Sequence, residues 1–209
     1  MEIAVSYLKS KLSKSETINK IDESKADLIH VDLMDGIYAG VCNFTMKTVI
    51  DDLKYTNKLL DIHLMTINPE VYINDLAKLN IDTITFHFDA TDNIEKTINL
   101  IKKYNFKVGV ALSIEDDVDI IKEYISKIDY VLVMTVYPGK GGQEFMPRMV
   151  SKLKKLQKEK ILLGVDGGIN KDSIKYLKDI RVDRLISGSF ICLSDDYNKQ
   201  IDILKKQIN

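Results

Sequence analysis

The chain has 209 residues, with 30 lysines and arginines against 31 acids and a formal net charge of −1, a balance that leaves no electrostatic footprint for nucleic acid or an anionic membrane surface. Its apolar runs are too short to span a bilayer, and Met1 to Tyr7 lacks the parts of a secretory signal, so a cytoplasmic protein is expected. Cys42 and Cys192 show no CxxC or zinc-finger spacing, which argues against a disulfide framework, and the length suits a single domain over residues 1–209 that buries roughly 70% of its unfolded surface.

Strand-like runs rich in β-branched residues begin near residues 2, 28, 59, 82, 107, 129, 161 and 183, each followed by a segment of helical periodicity. The first run carries Ser6. In the second, Leu28-Ile29-His30-Val31-Asp32-Leu33-Met34, side chains at i and i+2 share a face, so His30 and Asp32 project together. The third ends in His63 and Met65 and the fourth in His87. Those are all three of the chain's histidines, and their shared place at the ends of buried strands points to a site. Thr91 ahead of Ile94, Ile98 and Ile101 predicts an N-cap, and Ser113 with Asp116 predicts a capping box ahead of Val118, Ile121 and Ile125. The sixth run, Tyr130-Val131-Leu132-Val133-Met134, is continuously apolar, as suits a strand buried on both faces of a parallel sheet. Pro138-Gly139-Lys140-Gly141-Gly142-Gln143 follows it. The seventh run ends in Asp166-Gly167-Gly168, with Asn170 as an N-cap before Ile174 and Leu177, and the eighth ends in Ser187-Gly188-Ser189.

Eight alternating units over this length predict a small (β/α)8 TIM barrel, with an open doubly wound sheet as the competing arrangement because strand order is not readable from one sequence. In such barrels the active site forms at the C-terminal ends of the strands, where His30, Asp32, His63, His87, Asp166 and Ser189 all fall. One strand-end histidine alone is more often a satisfied core or rim residue. Four candidate ligands on one rim, His30, Asp32, His63 and Asp166, form a His2Asp2 cage whose nitrogen and oxygen donors suit one divalent ion: Zn²⁺ first, with Fe²⁺, Mn²⁺ or Co²⁺ compatible. The glycines after the sixth, seventh and eighth runs form a second signal, since glycine lets backbone N–H groups approach a phosphate and loops after strands 7 and 8 commonly hold one. Met34, Met65 and Met134 read either as soft core filling or as an apolar layer over a reactive intermediate.

Together, His30-Val-Asp-Leu-Met-Asp-Gly36, Asp61-Ile-His-Leu-Met65, Thr85-Phe-His87, Val133-Met-Thr-Val-Tyr-Pro-Gly-Lys-Gly-Gly-Gln143, Val165-Asp-Gly-Gly168 and Ser187-Gly-Ser189 resemble the ribulose-phosphate 3-epimerase family over nearly the whole chain. The resemblance implies a ribulose-phosphate-binding barrel that interconverts D-ribulose 5-phosphate and D-xylulose 5-phosphate in the pentose phosphate pathway, as a homo-oligomer (dimer or hexamer). It implies His30, Asp32, His63 and Asp166 as metal ligands and Asp32 and Asp166 as the acid/base pair. It also implies substrate contacts from Ser6, Met34, His63, Met65, Met134, Gly139, Gly141, Gly142, Gly167, Gly168, Gly188 and Ser189. The chemistry agrees, because inverting a carbon beside a ketone removes a proton on one face and returns one on the other.

Three segments depart from the family pattern. Pro-Ser-Ile-Leu-Ser-Ala-Asp becomes Val5-Ser6-Tyr7-Leu8-Lys9-Ser10-Lys11, Asp-Gly-His-Phe-Val-Pro-Asn becomes Asp35-Gly36-Ile37-Tyr38-Ala39-Gly40-Val41, and a phenylalanine becomes Lys140. These alter the rim and leave open a 3-epimerase for another ketose phosphate, such as D-allulose 6-phosphate. A non-catalytic phosphate-binding barrel is the alternative of another class. A Schiff-base aldolase is disfavoured because no lysine ends the sixth or seventh run, and the decarboxylase and hexulose-phosphate synthase pattern Asp-x-Lys-x-x-Asp is broken at His63 and Thr66. His87 reads as a supporting residue.

Overall fold

The computed structural model describes residues 1–208. Its strands are β1 (Glu2–Ser6), β2 (Leu28–Met34), β3 (Leu59–Met65), β4 (Ile81–His87), β5 (Lys107–Leu112), β6 (Tyr130–Met134), β7 (Leu162–Asp166) and β8 (Arg184–Ser187). Each pairs in parallel with the next, and β8 returns to β1 with Arg184 opposite Glu2, closing a barrel. The open-sheet alternative is therefore excluded.

Helices cover the outside: α1 (Lys14–Asp22), α2 (Met46–Leu53), α3 (Glu70–Leu76), α4 (Ile94–Lys103), α5 (Val150–Leu156), α6 (Ser189–Cys192) and α7 (Tyr197–Ile208). After β5 and β7 the expected α-helices are instead 3-10 segments, Val118–Tyr124 and Ile174–Leu177. The pattern explains the difference: the buried residues are Val118 with Ile121 and Ile174 with Leu177, a spacing of three that stacks side chains in a three-residue turn. No helix among the described residues is long and apolar enough to cross a membrane.

Two of the caps differ from the sequence expectation. Asn93, not Thr91, caps α4 by accepting from Lys96 N at 2.9 Å, while the Thr91 hydroxyl receives Asn93 N. At Ser113 only half a capping box forms: the Asp116 carboxylate accepts Ser113 N at 2.7 Å, but the Ser113 hydroxyl faces the His87 ring. Asn170 does bind the backbone of Asp172 and Ser173, as a cap should.

Between sheet and helices lies an aliphatic shell that includes Ile29, Val31, Ile62, Leu64, Ile84 and Phe86, all fully buried, each contributing about 1.5–3 kcal/mol. The barrel interior is more polar. The Tyr130 ring crosses it over Gly164, where any Cβ would collide with that ring, and the Arg184 guanidinium stands 5.1 Å from the ring centroid. Arg184 is itself buried and binds Glu2, Asp61, Thr83 and Asp82. This ionic plug forms the floor beneath the site.

Candidate active site

Strand register assembles the site. β2 and β3 pair so that Asp32 lies beside His63 and His30 beside Asp61, and β6 places Met134 beside Asp166. One ligand atom from each of His30, Asp32, His63 and Asp166 lies within 4.8 Å of the others. Asp32 Oδ1 is 3.3 Å from both His30 Nε2 and His63 Nδ1, and Asp166 Oδ2 is 4.0 and 3.8 Å from the same two nitrogens.

Those two ring nitrogens are buried and make no hydrogen bond. Buried polar atoms are rarely left unpaired, and two convergent imidazole lone pairs flanked by carboxylates are the donor set of a divalent transition-metal site. The residues present fit such an ion.

Each histidine is held from behind. His30 Nδ1 meets Asp61 Oδ2 at 2.8 Å, and Asp61 Oδ1 accepts from Arg184 at 2.8 Å. His63 Nε2 meets His87 Nε2 at 2.9 Å, and His87 Nδ1 meets the Ser113 hydroxyl at 2.9 Å. The Ser6 hydroxyl donates to Asp32 Oδ2 at 2.7 Å.

Without a bound ion, burial opposes charge on each group and neighbours decide the outcome. Burial lowers His30, but Asp32 and Asp61 outweigh it and hold the ring well above its ordinary value. Burial raises Asp32, yet His30 and His63 hold it well below the usual carboxylate range. Asp166 is pushed upward, first by burial and then by the Asp32 charge. His87 is pushed well down by burial and by His63, and stays a neutral imidazole. The two carboxylates thus lie on opposite sides of the ordinary range, one ionised and one inclined to keep a proton.

Above the cage opens a cleft. It is lined by Ser6, Asp32, Met65, Met134, Gly139, Gly141, Gly142, Asp166, Gly167, Gly168, Gly188 and Ser189 among the residues singled out from sequence. His30 and His63 lie beneath it, and Met34 is buried at its strand end without lining it. Gly168 has φ +65°, and a Cβ there would strike the backbone of Phe145, so the loop after β7 packs closely on the loop after β6.

Four residues of the site were not found from sequence. Asp61 lies within a quoted motif, but only register shows that it backs His30. Asn43 donates to the Asp32 carbonyl and accepts Met34 N, clamping the end of β2. Buried Thr135 donates to the carbonyls of Asp166 and Gly167; its signal was a polar residue ending an apolar run. Lys9 lines the cleft with Lys140, its ammonium lying over Gly142, and only the basic turn of its segment hinted at it.

A family model described as "Ribulose-phosphate 3 epimerase family" matches residues 2–192. Ribulose-phosphate 3-epimerase of Buchnera aphidicola subsp. Baizongia pistaciae is 36% identical, covering 97% of this chain and 95% of that protein. The enzyme of the same name from Bacillus subtilis is 34% identical, with 90% of each covered. Among solved structures, 3-keto-L-gulonate-6-phosphate decarboxylase from Vibrio cholerae superposes with a TM-score of 0.71 at 17% identity, over 99% of this chain and 96% of that one. The 3-hexulose-6-phosphate synthase from Salmonella typhimurium superposes at 0.70 with 19% identity, over 100% and 98%. At such identities the structures speak for the barrel alone, whereas the family match and the two epimerase relatives span nearly the whole sequence: the chain belongs to the ribulose-phosphate 3 epimerase family.

Proposed function

We propose that the chain, acting as a single catalytic barrel, epimerises D-ribulose 5-phosphate and D-xylulose 5-phosphate at C3. The observation that carries this reading is the pair Asp32 and Asp166, gathered with two unpaired imidazole nitrogens in one cage and shifted in opposite directions from the ordinary carboxylate range.

His30, Asp32, His63 and Asp166 would hold a divalent ion, Zn²⁺ by preference, which supplies Lewis-acid polarisation of the ketone and adjoining hydroxyl oxygens. Asp32, ionised, takes the C3 proton on one face of the sugar. Asp166, protonated, returns a proton on the other, and the two exchange roles when the reaction runs backwards. Each such transfer typically contributes about 10² to 10⁴ in rate. Ser6 holds the Asp32 carboxylate through Oδ2, which leaves Oδ1 for the cage. Met65 and Met134 cover the reacting carbon and exclude water. Gly167, Gly168, Gly188 and Ser189 line the cleft, where their backbone N–H groups would bind the phosphate together with Gly139, Gly141 and Gly142.

The family setting supports a cytoplasmic sugar-phosphate enzyme working as a homo-oligomer, and the exposed Ile37, Tyr55 and Val71 supply apolar area for such contacts. The test is NMR of D-ribulose 5-phosphate with zinc-loaded protein in D2O. Deuterium uptake at C3 with formation of xylulose 5-phosphate is expected. No uptake with the ion demonstrably bound would overturn the substrate assignment.

A further inference from the structure

We propose that His87, Ser113, Tyr38 and Asp89 form a one-way hydrogen-bond relay that fixes the ring tautomer of His63 and keeps its Nδ1 lone pair turned into the cage. His87 and Ser113 are then positioning residues for a metal ligand. The inference rests on the reading that His63 Nδ1 is such a ligand.

The direction of the relay follows from its inner end: with Nδ1 as a ligand, His63 keeps its proton on Nε2 and donates it to His87 Nε2 at 2.9 Å, which leaves the His87 proton on Nδ1. The outer end is compatible with that direction. Tyr38 Oη lies 2.8 Å from Asp89 Oδ1 and 3.4 Å from Ser113 Oγ. A carboxylate accepts only, so the Tyr38 hydroxyl spends its single proton on Asp89 and can only accept from Ser113. Ser113 Oγ accepts from His87 Nδ1 at 2.9 Å and turns its own proton outward, toward the Tyr38 oxygen at 3.4 Å. A neutral imidazole that carries its proton on Nδ1 has a lone pair on Nε2. That lone pair accepts the His63 Nε2 proton at 2.9 Å, and His63 Nδ1 stays free. The Ser113 to Tyr38 link is the longest and weakest.

The relay opposes a real competitor. His63 is fully buried, and Asp32 Oδ1 at 3.3 Å from Nδ1 rewards the other tautomer, in which an N–H would point into the cage and block it. Tyr38 also covers the His87 ring, with centroids 4.7 Å apart. It stands where the family pattern has phenylalanine, so the hydroxyl end of the relay is a feature of this chain.

Only three histidines are present, so a long-range ¹H–¹⁵N spectrum of the zinc-loaded chain contains three ring systems. His87 should carry its proton on Nδ1 and accept at Nε2; a proton on Nε2, or on both nitrogens, overturns the relay. Zinc affinity by chelator competition then separates positioning from packing. His87→Leu should lose about 10- to 100-fold. His87→Gln, which keeps an acceptor and a donor, should recover most of that, and Tyr38→Phe should lose roughly two- to fivefold. Equal losses in the Gln and Leu variants would reduce His87 to a packing residue, and unchanged affinity in both would leave it no role. Failure of the wild-type chain to bind zinc would sink the metal reading separately, and the His87 tautomer of the metal-free protein would still decide the relay.

Discussion

The two histidines of the cage lie on adjacent strands but are backed by different chemistry. Behind His30 runs a charged chain, Asp61 to Arg184 to Asp82 and Glu2, leading down into the barrel floor. Behind His63 runs a neutral chain of imidazole and hydroxyls leading outward to the rim. The first ties ligand geometry to the stability of the fold, because Asp61 and Arg184 are buried ions that cannot lose a partner cheaply. The second sets geometry through neutral groups and reaches a charge only at the exposed Asp89.

The carboxylates where both chains meet give the largest effect. Asp166→Asn and Asp32→Asn should each lower turnover by about 10² to 10⁴ or more while circular dichroism shows an intact barrel; full activity in either would break the two-acid assignment. Next comes the charged chain: Arg184→Met strands Asp61 and Asp82 in the floor and should cost about 3–5 kcal/mol, seen as a Tm lower by roughly 6–20 °C. His87→Leu should leave Tm much closer to the parent, and an equal fall in the two variants would erase the contrast between the chains.

Acid should expose the same difference. Asp82 is driven upward by burial, but Lys107 and Arg184 outweigh this and hold it below its ordinary value of 3.8. Its stabilisation is present above that value and is lost as pH falls through the folded pKa. Asp116, beside Ser113, is raised by burial, so it gains rather than loses stability as pH falls. Urea denaturation below about pH 4 should show a steeper loss in the parent than in Asp82→Asn, and parallel curves would remove the charged chain as the source of acid sensitivity. A smaller effect than those of the carboxylates and Arg184 is expected from Ser6→Ala, which removes one hydrogen bond to a charged group and should cost about 1.5–3 kcal/mol in transition-state stabilisation, read as a fall in kcat/KM with little change in Tm.

Much of this was legible in the chain because periodicity and strand ends are local. The starts of all eight strands lie within one residue of their expected places, and His30, Asp32, His63 and Asp166 declared themselves by ending apolar runs. What lay hidden was long-range. Asp61 finds Arg184 across 123 positions, and no neighbour of Arg184 in sequence hints that it is fully buried rather than a polar strand boundary. Ser113 read as a helix cap because its local pattern is right, yet its hydroxyl goes to His87, 26 positions away. The direction of Lys9 depends on the loop after β6, which register alone brings near.

The seam between β1 and β8 bears on how the chain comes off the ribosome. The segment through β4 already contains Asp61 and Asp82, but the guanidinium that both bind arrives only with Arg184, and Glu2 waits for the same residue. Until then, among the described residues, Asp61 has only His30 as an ionic partner and Asp82 only Lys107, so the floor of a half-made barrel is short of positive charge. Burying acids short of a partner is costly, which disfavours closing the floor before β8 is in place. Addition of β8 closes the barrel and supplies the Arg184 charge together.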